Sequence, residues 1–225
     1  MDTFAPGSIE VICDRCGASF DFDEWSVIPN VFLPDVAKRL CDGDLFEAVC
    51  PECGNIHLML YRCLYHDVPN AKLVLLDQSC LRKRSVGTLV RMTHRDGDGP
   101  SDAPRHAGRL VFHPDALSEK ARIFAAGLDD CPIELVKLRI KERLIGEDAL
   151  FETVLLYFDR KDGVSLFFEA SGYEDGEVVV PMSIYDQMVA DLKERLPRID
   201  DFIVDERWAQ RYLAEAVLSE AESAL

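Results

Sequence analysis

Two Cys-x-x-Cys pairs stand in the first quarter of the chain, Cys13-Asp-Arg-Cys16 and Cys50-Pro-Glu-Cys53, each followed at once by a glycine, Gly17 and Gly54. A turn of this kind points both sulfurs to one side and lets backbone amides hydrogen-bond them, and glycine supplies the positive φ that closes it. Two such turns offer four thiolates, the donor set of a tetrahedral structural zinc ion with Zn–S bonds of about 2.3 Å. Four protein ligands leave no position for water. A centre built on Cys13, Cys16, Cys50 and Cys53 is therefore structural rather than catalytic, and one Zn2+ is the expected cofactor. Disulfides within each pair, a redox dithiol at Cys50 and Cys53, and iron in place of zinc are the alternatives. The redox reading needs the motif to open a helix, whose N-terminus lowers the thiol pKa. Here Gly54-Asn55 leads instead into Ile56–Tyr61, an apolar-rich segment of strand character.

Short elements must carry these sulfurs. Ile9–Ile12 leads into the first pair, and Ser19-Phe20-Asp21-Phe22 leaves it with the alternation of a strand. Phe46–Val49 enters the second pair. The spacer from Cys16 to Cys50 is 33 residues, longer than the roughly 15–20 of common zinc ribbons. A hairpin and a short helix at Pro34–Cys41 absorb it, with proline in the permitted first turn and Gly43 just past the end. With a further strand at Lys72–Leu76, the first unit reads as two knuckles on a small sheet. A structural zinc can contribute roughly 10–16 kcal/mol of apparent binding energy near neutral pH. Whole-domain stability is only about 5–15 kcal/mol, so such an ion could decide whether this unit folds.

Farther along, residues 93–108 are rich in Gly, Pro, Asp and His without apolar periodicity, and read as a loop. The Asp96-Gly-Asp98-Gly run in it is not a calcium loop, since the twelfth position is Ala107 rather than glutamate. Leu110-Val111-Phe112 is a short apolar run. Asp115 is a candidate cap for a helix carrying Leu117, Ala121 and Phe124 and ending at Gly127. Asp130 is a candidate cap for the next, with Ile133, Val136, Ile140 and Leu144 at helical spacing and Gly146 closing it. Phe151–Phe158, Val164–Phe168 and Glu177–Val180 read as antiparallel strands joined by Asp-Gly turns at Asp162-Gly163 and Asp175-Gly176. Two helices follow, Ser183–Leu196, stopped by Pro197, and Asp205–Leu218, anchored by Trp208, Tyr212 and Leu213. The fold class is α+β: a zinc-ribbon-like N-terminal module, then helices, then a C-terminal antiparallel sheet with two helices. The expected boundary separates residues 8–130 from residues 131–225.

The segment from Cys13 to about Leu76, with its Cys50-Pro51-Glu52-Cys53-Gly54 knuckle after Asp44-Leu45-Phe46 and its Leu64-Tyr65-His66-Asp67 run, resembles the bacterial and archaeal CpXC-domain family. The stretch from Ile123 to Asp130 (IFAAGLDD) is similar to one these proteins carry further on, so the resemblance spans roughly the first 145 residues. It departs at Asp14, which stands where proline would complete the first Cys-Pro-x-Cys; the ligand spacing is unchanged. The resemblance implies metal binding through the four cysteines and carries no established activity with it.

Charge bounds the partners. The 225 residues carry a net charge of −16, and the stretch from Gly146 to Leu225 holds 19 acids against 7 bases. Such a field repels phosphate backbones, so nucleic acid is disfavoured and a protein partner of basic character is expected. The exception is the compact basic cluster Arg82-Lys83-Arg84 with Arg91, which reads as a solvated face, a partner for the acidic half, or an RNA or phosphate contact. No run approaches the roughly 18 apolar residues of a membrane span. No basic stretch followed by an apolar run opens the chain, so a cytoplasmic location is expected.

Other groups read as structural. Cys41, Cys63 and Cys80 suit buried small apolar sites. Cys131 lies at a helix N-terminus without a nearby base. His57, four residues past Cys53, could replace a ligand, although four cysteines suffice. His66 between Tyr65 and Asp67 could form a Tyr-His-Asp cluster, while His94 and His106 read as solvated. The first functional expectation is a cytoplasmic, zinc-stabilised binding or adaptor protein without enzymatic activity. The alternatives are an enzyme with a cleft near His66, and a weak nucleic-acid binder through Arg82, Lys83 and Arg84.

Overall fold

The computed structural model describes residues 4–79, 82–93, 106–147, 154–172, 176–193 and 202–223. The chain divides into two compact units, Met1–Ala121 and Arg122–Leu225. No helix among the described residues is long and apolar enough to cross a membrane.

In the first unit, β1 (Gly7–Ile12) and β2 (Ser19–Glu24) form an antiparallel hairpin in which Ile12 faces Ser19. The strands β4 (Glu47–Val49) and β5 (Ile56–Leu58) form a second, in which Val49 faces Ile56. Each hairpin is closed by a Cys-x-x-Cys turn. Beneath the turns lies a small core of Val11, Phe22 and Ala48, packed by Phe20, Met59 and Tyr61. The Tyr61 ring sits 4.9 Å from that of Phe46 and 6.1 Å from that of Phe22. Helix α1 (Pro34–Asp42) fills the spacer with Pro34 in its first turn. It ends on Gly43 at φ 91°, where the Gly43 amide donates to the Leu40 carbonyl and the Asp44 amide to that of Arg39. This six-to-one closure needs a left-handed residue, which glycine adopts without steric cost.

The small sheet expected under the knuckles is in fact two separate hairpins, and a four-stranded sheet stands beside them. Its order is β3 (Val27–Pro29), β6 (Cys63–Asp67), β7 (Lys72–Leu76), β8 (Ala107–Val111). The β6–β7 pair is antiparallel, and β3–β6 and β7–β8 are parallel. Leu73–Leu76 on β7 is buried without interruption, as an interior strand covered on both faces should be. The return from β7 to β8 runs through α2 (Arg82–Thr93), which packs on both strands through buried Ser85 and Leu89. A helix at 82–93 was not expected, because a glycine, two valines, two threonines and a serine give it weak propensity and its first three residues are like-charged. Packing on the sheet supplies what propensity does not. Residues 94–105, with the Asp96–Asp98 run and His94, lie outside the described residues, as does Cys80.

Helix α3 (Pro114–Ala125) contains the division between the units. Its cap is not Asp115: the His113 Nδ1 accepts the Asp115 amide at 3.3 Å. It closes on Gly127 at φ 69°, with the Gly127 amide on the Phe124 carbonyl and the Leu128 amide on that of Ile123. In the second unit, α4 (Asp130–Glu147) is capped one residue earlier than expected, by the Asp129 carboxylate on the Cys131 amide at 3.1 Å. A three-stranded antiparallel sheet follows, β9 (Leu155–Lys161), β10 (Ser165–Ser171) and β11 (Gly176–Pro181), in the order β11-β10-β9. Asp162 makes the β9–β10 turn by accepting the Val164 and Ser165 amides at 3.0 and 2.8 Å. Residues 173–175, including the expected turn residue Asp175, lie outside the described residues. Helices α5 (Met182–Lys193) and α6 (Glu206–Ser223) pack on α4, where Lys141 Nζ donates to both Glu206 oxygens at 2.9 and 3.1 Å.

Asp205 begins α6 by accepting the Trp208 amide at 2.9 Å. Asp205→Ala is expected to destabilise the second unit by about 0.5–2 kcal/mol. Asp205→Asn, which keeps the acceptor, should lose much less. Urea unfolding followed by Trp208 fluorescence in a Trp25→Phe background reads the difference.

Candidate metal centre

The two knuckles adopt the same local structure. The Cys13 amide donates to the Ala18 carbonyl at 2.8 Å and the Gly17 amide to the Cys13 carbonyl at 2.9 Å. In the second turn the Cys50 amide donates to the Asn55 carbonyl and the Gly54 amide to the Cys50 carbonyl, at the same two distances. Gly17 and Gly54 close these turns at φ 77° and 69°. A β-branched residue pays strain in that region, so each position suits glycine for a conformational reason.

Packing of the hairpins brings the turns face to face. The Sγ atoms of Cys13 and Cys53 lie 3.6 Å apart, as do those of Cys16 and Cys50, and all four sulfurs fall within 4.8 Å of one another. A tetrahedron with bonds of about 2.3 Å has sulfur–sulfur edges of about 3.8 Å, so the quartet is compatible with a metal site. None of the four is in a disulfide. Cys13 and Cys50 are buried and Cys16 is exposed.

The electrostatics suit a cation. Burial pushes the Cys13 thiol up, but the Cys16 amide, His57, the Arg15 amide and Cys53 together outweigh it and bring it down to about 6. Cys16 moves the other way. The Ala18 amide favours its thiolate, yet Cys53, burial, Cys50 and Cys13 oppose it and push it up to about 12. Like charges packed this closely resist joint ionisation, and a divalent ion at their centre removes the resistance. An all-sulfur donor set favours soft metals over calcium or magnesium.

Asp14, the departure from Cys-Pro-x-Cys, ties the two knuckles together: its Oδ1 accepts from Asn55 Nδ2 at 2.9 Å. His57 stands beside Cys13, with Nε2 3.7 Å from Asp14 Oδ1 and 3.3 Å from Asn55 Nδ2, outside the sulfur quartet.

The Tyr65-His66-Asp67 cluster does not form. Successive strand residues face opposite sides, so Tyr65 and Asp67 are buried on one face of β6 and His66 lies on the other. Asp67 accepts from Asn30 and Asn70 side chains at 3.1 and 2.9 Å. His66 meets His106 instead, Nε2 to Nε2 at 3.1 Å, so His106 is not a solvated loop residue. Cys63 is buried, and burial with Glu24 pushes its thiol up to about 12. Cys131 is buried as well.

Lys83 and Arg84 are exposed in the first turn of α2, and the Arg82 side chain lies outside the described residues. Arg84 and Arg91 line a cavity of about 560 Å³ that also receives Arg62, Asp77, Ser85 and Thr88. His66 is not among its lining residues. Arg84 and Arg91 belong to the basic cluster legible in the sequence, whereas Arg62 and Asp77 were not foreseen because the β6–β7 pairing brings them to α2.

Residues 11–137, more than half of the chain, match the model of the CpXC protein family. The chain belongs to the CpXC family. No curated protein and no solved structure matches it.

Burial, then the neighbouring His106, lower the His66 pKa, with Asp67 opposing. Its folded value thus lies below the unfolded value of about 6.5. The neutral ring contributes stability that is complete above about pH 6.5 and is lost as pH falls through the folded value. In His106→Ala the His66 titration, followed by its ring-proton NMR shifts, should move up toward the unfolded value. An unmoved titration would mean that the second ring is irrelevant to it.

Proposed function

We propose that Cys13, Cys16, Cys50 and Cys53 hold one structural Zn2+, and that this CpXC protein is a zinc-stabilised, cytoplasmic binding or adaptor protein rather than an enzyme. The observation that carries the reading is the convergence of four sulfurs from two equivalent turns at the spacing of a tetrahedral site. Four protein ligands close the coordination sphere, so the ion's contribution is to fix the hairpins, not to activate water.

Two features support a partner-binding role. The outer face of the β4–β5 hairpin carries Val49, Ile56 and Leu58 at 54%, 57% and 50% exposure, opposite buried Ala48. Apolar side chains grouped on one strand face mark a contact surface more often than isolated ones do. The strong acidity of residues 146–225 selects for a basic partner and against nucleic acid.

Metal analysis of the purified chain should return one zinc per chain and no iron chromophore. Cys50→Ser should release the metal and unfold the two hairpins, while circular dichroism keeps the helices of the second unit. A variant that retained its metal and melted like the parent would overturn the assignment. Retention of basic proteins on immobilised CpXC protein should fall steeply as salt rises; salt-independent retention would remove the electrostatic half of the reading.

A further inference from the structure

We propose that the cavity beside α2 is a binding site for a small phosphorylated molecule, with Arg62, Arg84 and Arg91 receiving its phosphate group. The site is distinct from the sulfur quartet. Its walls come from the segment before β6, the segment after β7, and one face of α2. Arg84, Thr88 and Arg91 recur at helical spacing, so they line up along that face. The face is held in place: Thr88 Oγ1 donates to the Arg84 carbonyl at 3.1 Å, and Arg91 Nη2 donates to Thr88 Oγ1 at 3.3 Å.

Asp77 would repel an anion if it faced the cavity unpaired, but its oxygens are taken. Oδ1 accepts the Ser79 amide at 2.9 Å, Oδ2 accepts the buried Ser85 hydroxyl, and Arg62 Nε lies 3.3 Å from Oδ2. Burial pushes this carboxyl up, yet the Ser85 and Ser79 hydroxyls, the Ser79 amide and Arg62 hold it below the usual carboxylate range. It stays charged and serves to position Arg62. Arg84 and Arg91 have no carboxylate partner among the described residues. Two such guanidiniums are notable in a chain of net charge −16, where acids are plentiful. Guanidinium forks match phosphate oxygens in bidentate geometry.

Charge and size narrow the ligand. Three arginines and one aspartate leave the lining with a formal charge of +2, the complement of a phosphate dianion. A volume of about 560 Å³ is that of a small-molecule site, for which about 300–1,000 Å³ is usual. Leu60, which is exposed in the lining, offers apolar surface to the organic part of the molecule. A polynucleotide would need a basic track extending beyond the cavity, which the acidic composition disfavours.

The test uses the full-length, metal-loaded chain and three probes at constant ionic strength: inorganic phosphate, pyrophosphate and adenosine 5′-monophosphate. Isothermal titration should give saturable binding of at least one probe at one site per chain. Arg84→Gln and Arg91→Gln should each weaken it about tenfold or more, and Arg84→Lys, which keeps the charge and loses the fork, should weaken it less. Lys83→Gln, adjacent in sequence but outside the lining, should leave affinity unchanged. Zinc content and melting temperature without probe should stay at parental values, which separates failure here from failure of the metal assignment. No saturable binding up to about 10 mM would overturn the proposal. So would equal weakening by Lys83→Gln, or binding of single-stranded RNA without binding of any of the three probes.

Discussion

The two knuckle hairpins have very little to hold them together except the ends that carry the cysteines. The cluster they share is small, Val11, Phe22 and Ala48 with Phe20, Met59 and Tyr61 packed on it, and two-stranded hairpins are marginal in water without a larger apolar face. The turns are where four sulfurs meet, and an ion held there, as proposed, would cross-link them. The Asp14–Asn55 hydrogen bond spans the same gap but is an exposed contact between side chains, worth about 1 kcal/mol. A metal ion of the kind proposed supplies a contribution an order of magnitude larger.

The four-stranded sheet is a different kind of structure. Buried apolar side chains on β6, β7 and β8, with α2 laid across two of the strands, give it a conventional core. Alternation along β6 separates two polar systems that a linear reading merges. Asp67 belongs with Asn30 and Asn70 on the buried face, whereas His66 belongs with His106 on the other. The two histidine rings contact each other directly, and Asp67 reaches His66 only through its field from the other face of the strand.

Charge is distributed with a purpose that net values conceal. The second half of the sequence is strongly acidic, yet the first unit gathers three arginines around one buried, fully engaged aspartate. Local geometry decides what these groups attract, because a guanidinium in a concavity acts over a few ångströms while the net field is screened beyond about 10 Å at ordinary salt.

Residue type and spacing by themselves determined the cysteine quartet, the glycines that close its turns, Gly43 and Gly127 as helix stops, and the antiparallel C-terminal sheet with its helices. The turns, helix stops and hairpins rest on interactions within a few residues of one another, so the local pattern suffices for them; the meeting of Cys13 and Cys16 with Cys50 and Cys53 was legible from ligand spacing, and hairpin packing brings it about. The β3 and β6 strands, α2 and the arginine cavity were decided only by tertiary structure. Cys63–Asp67 has no strand-like alternation of apolar residues until its neighbours define an inside, and Arg82–Thr93 becomes a helix because Ser85 and Leu89 have a sheet to pack on. Arg62, Asp77 and Arg84 form one site because strand pairing, a long-range event, sets them side by side. Local chemistry can be read along the chain; juxtaposition of distant segments depends on which hydrogen-bond ladders and apolar faces find each other.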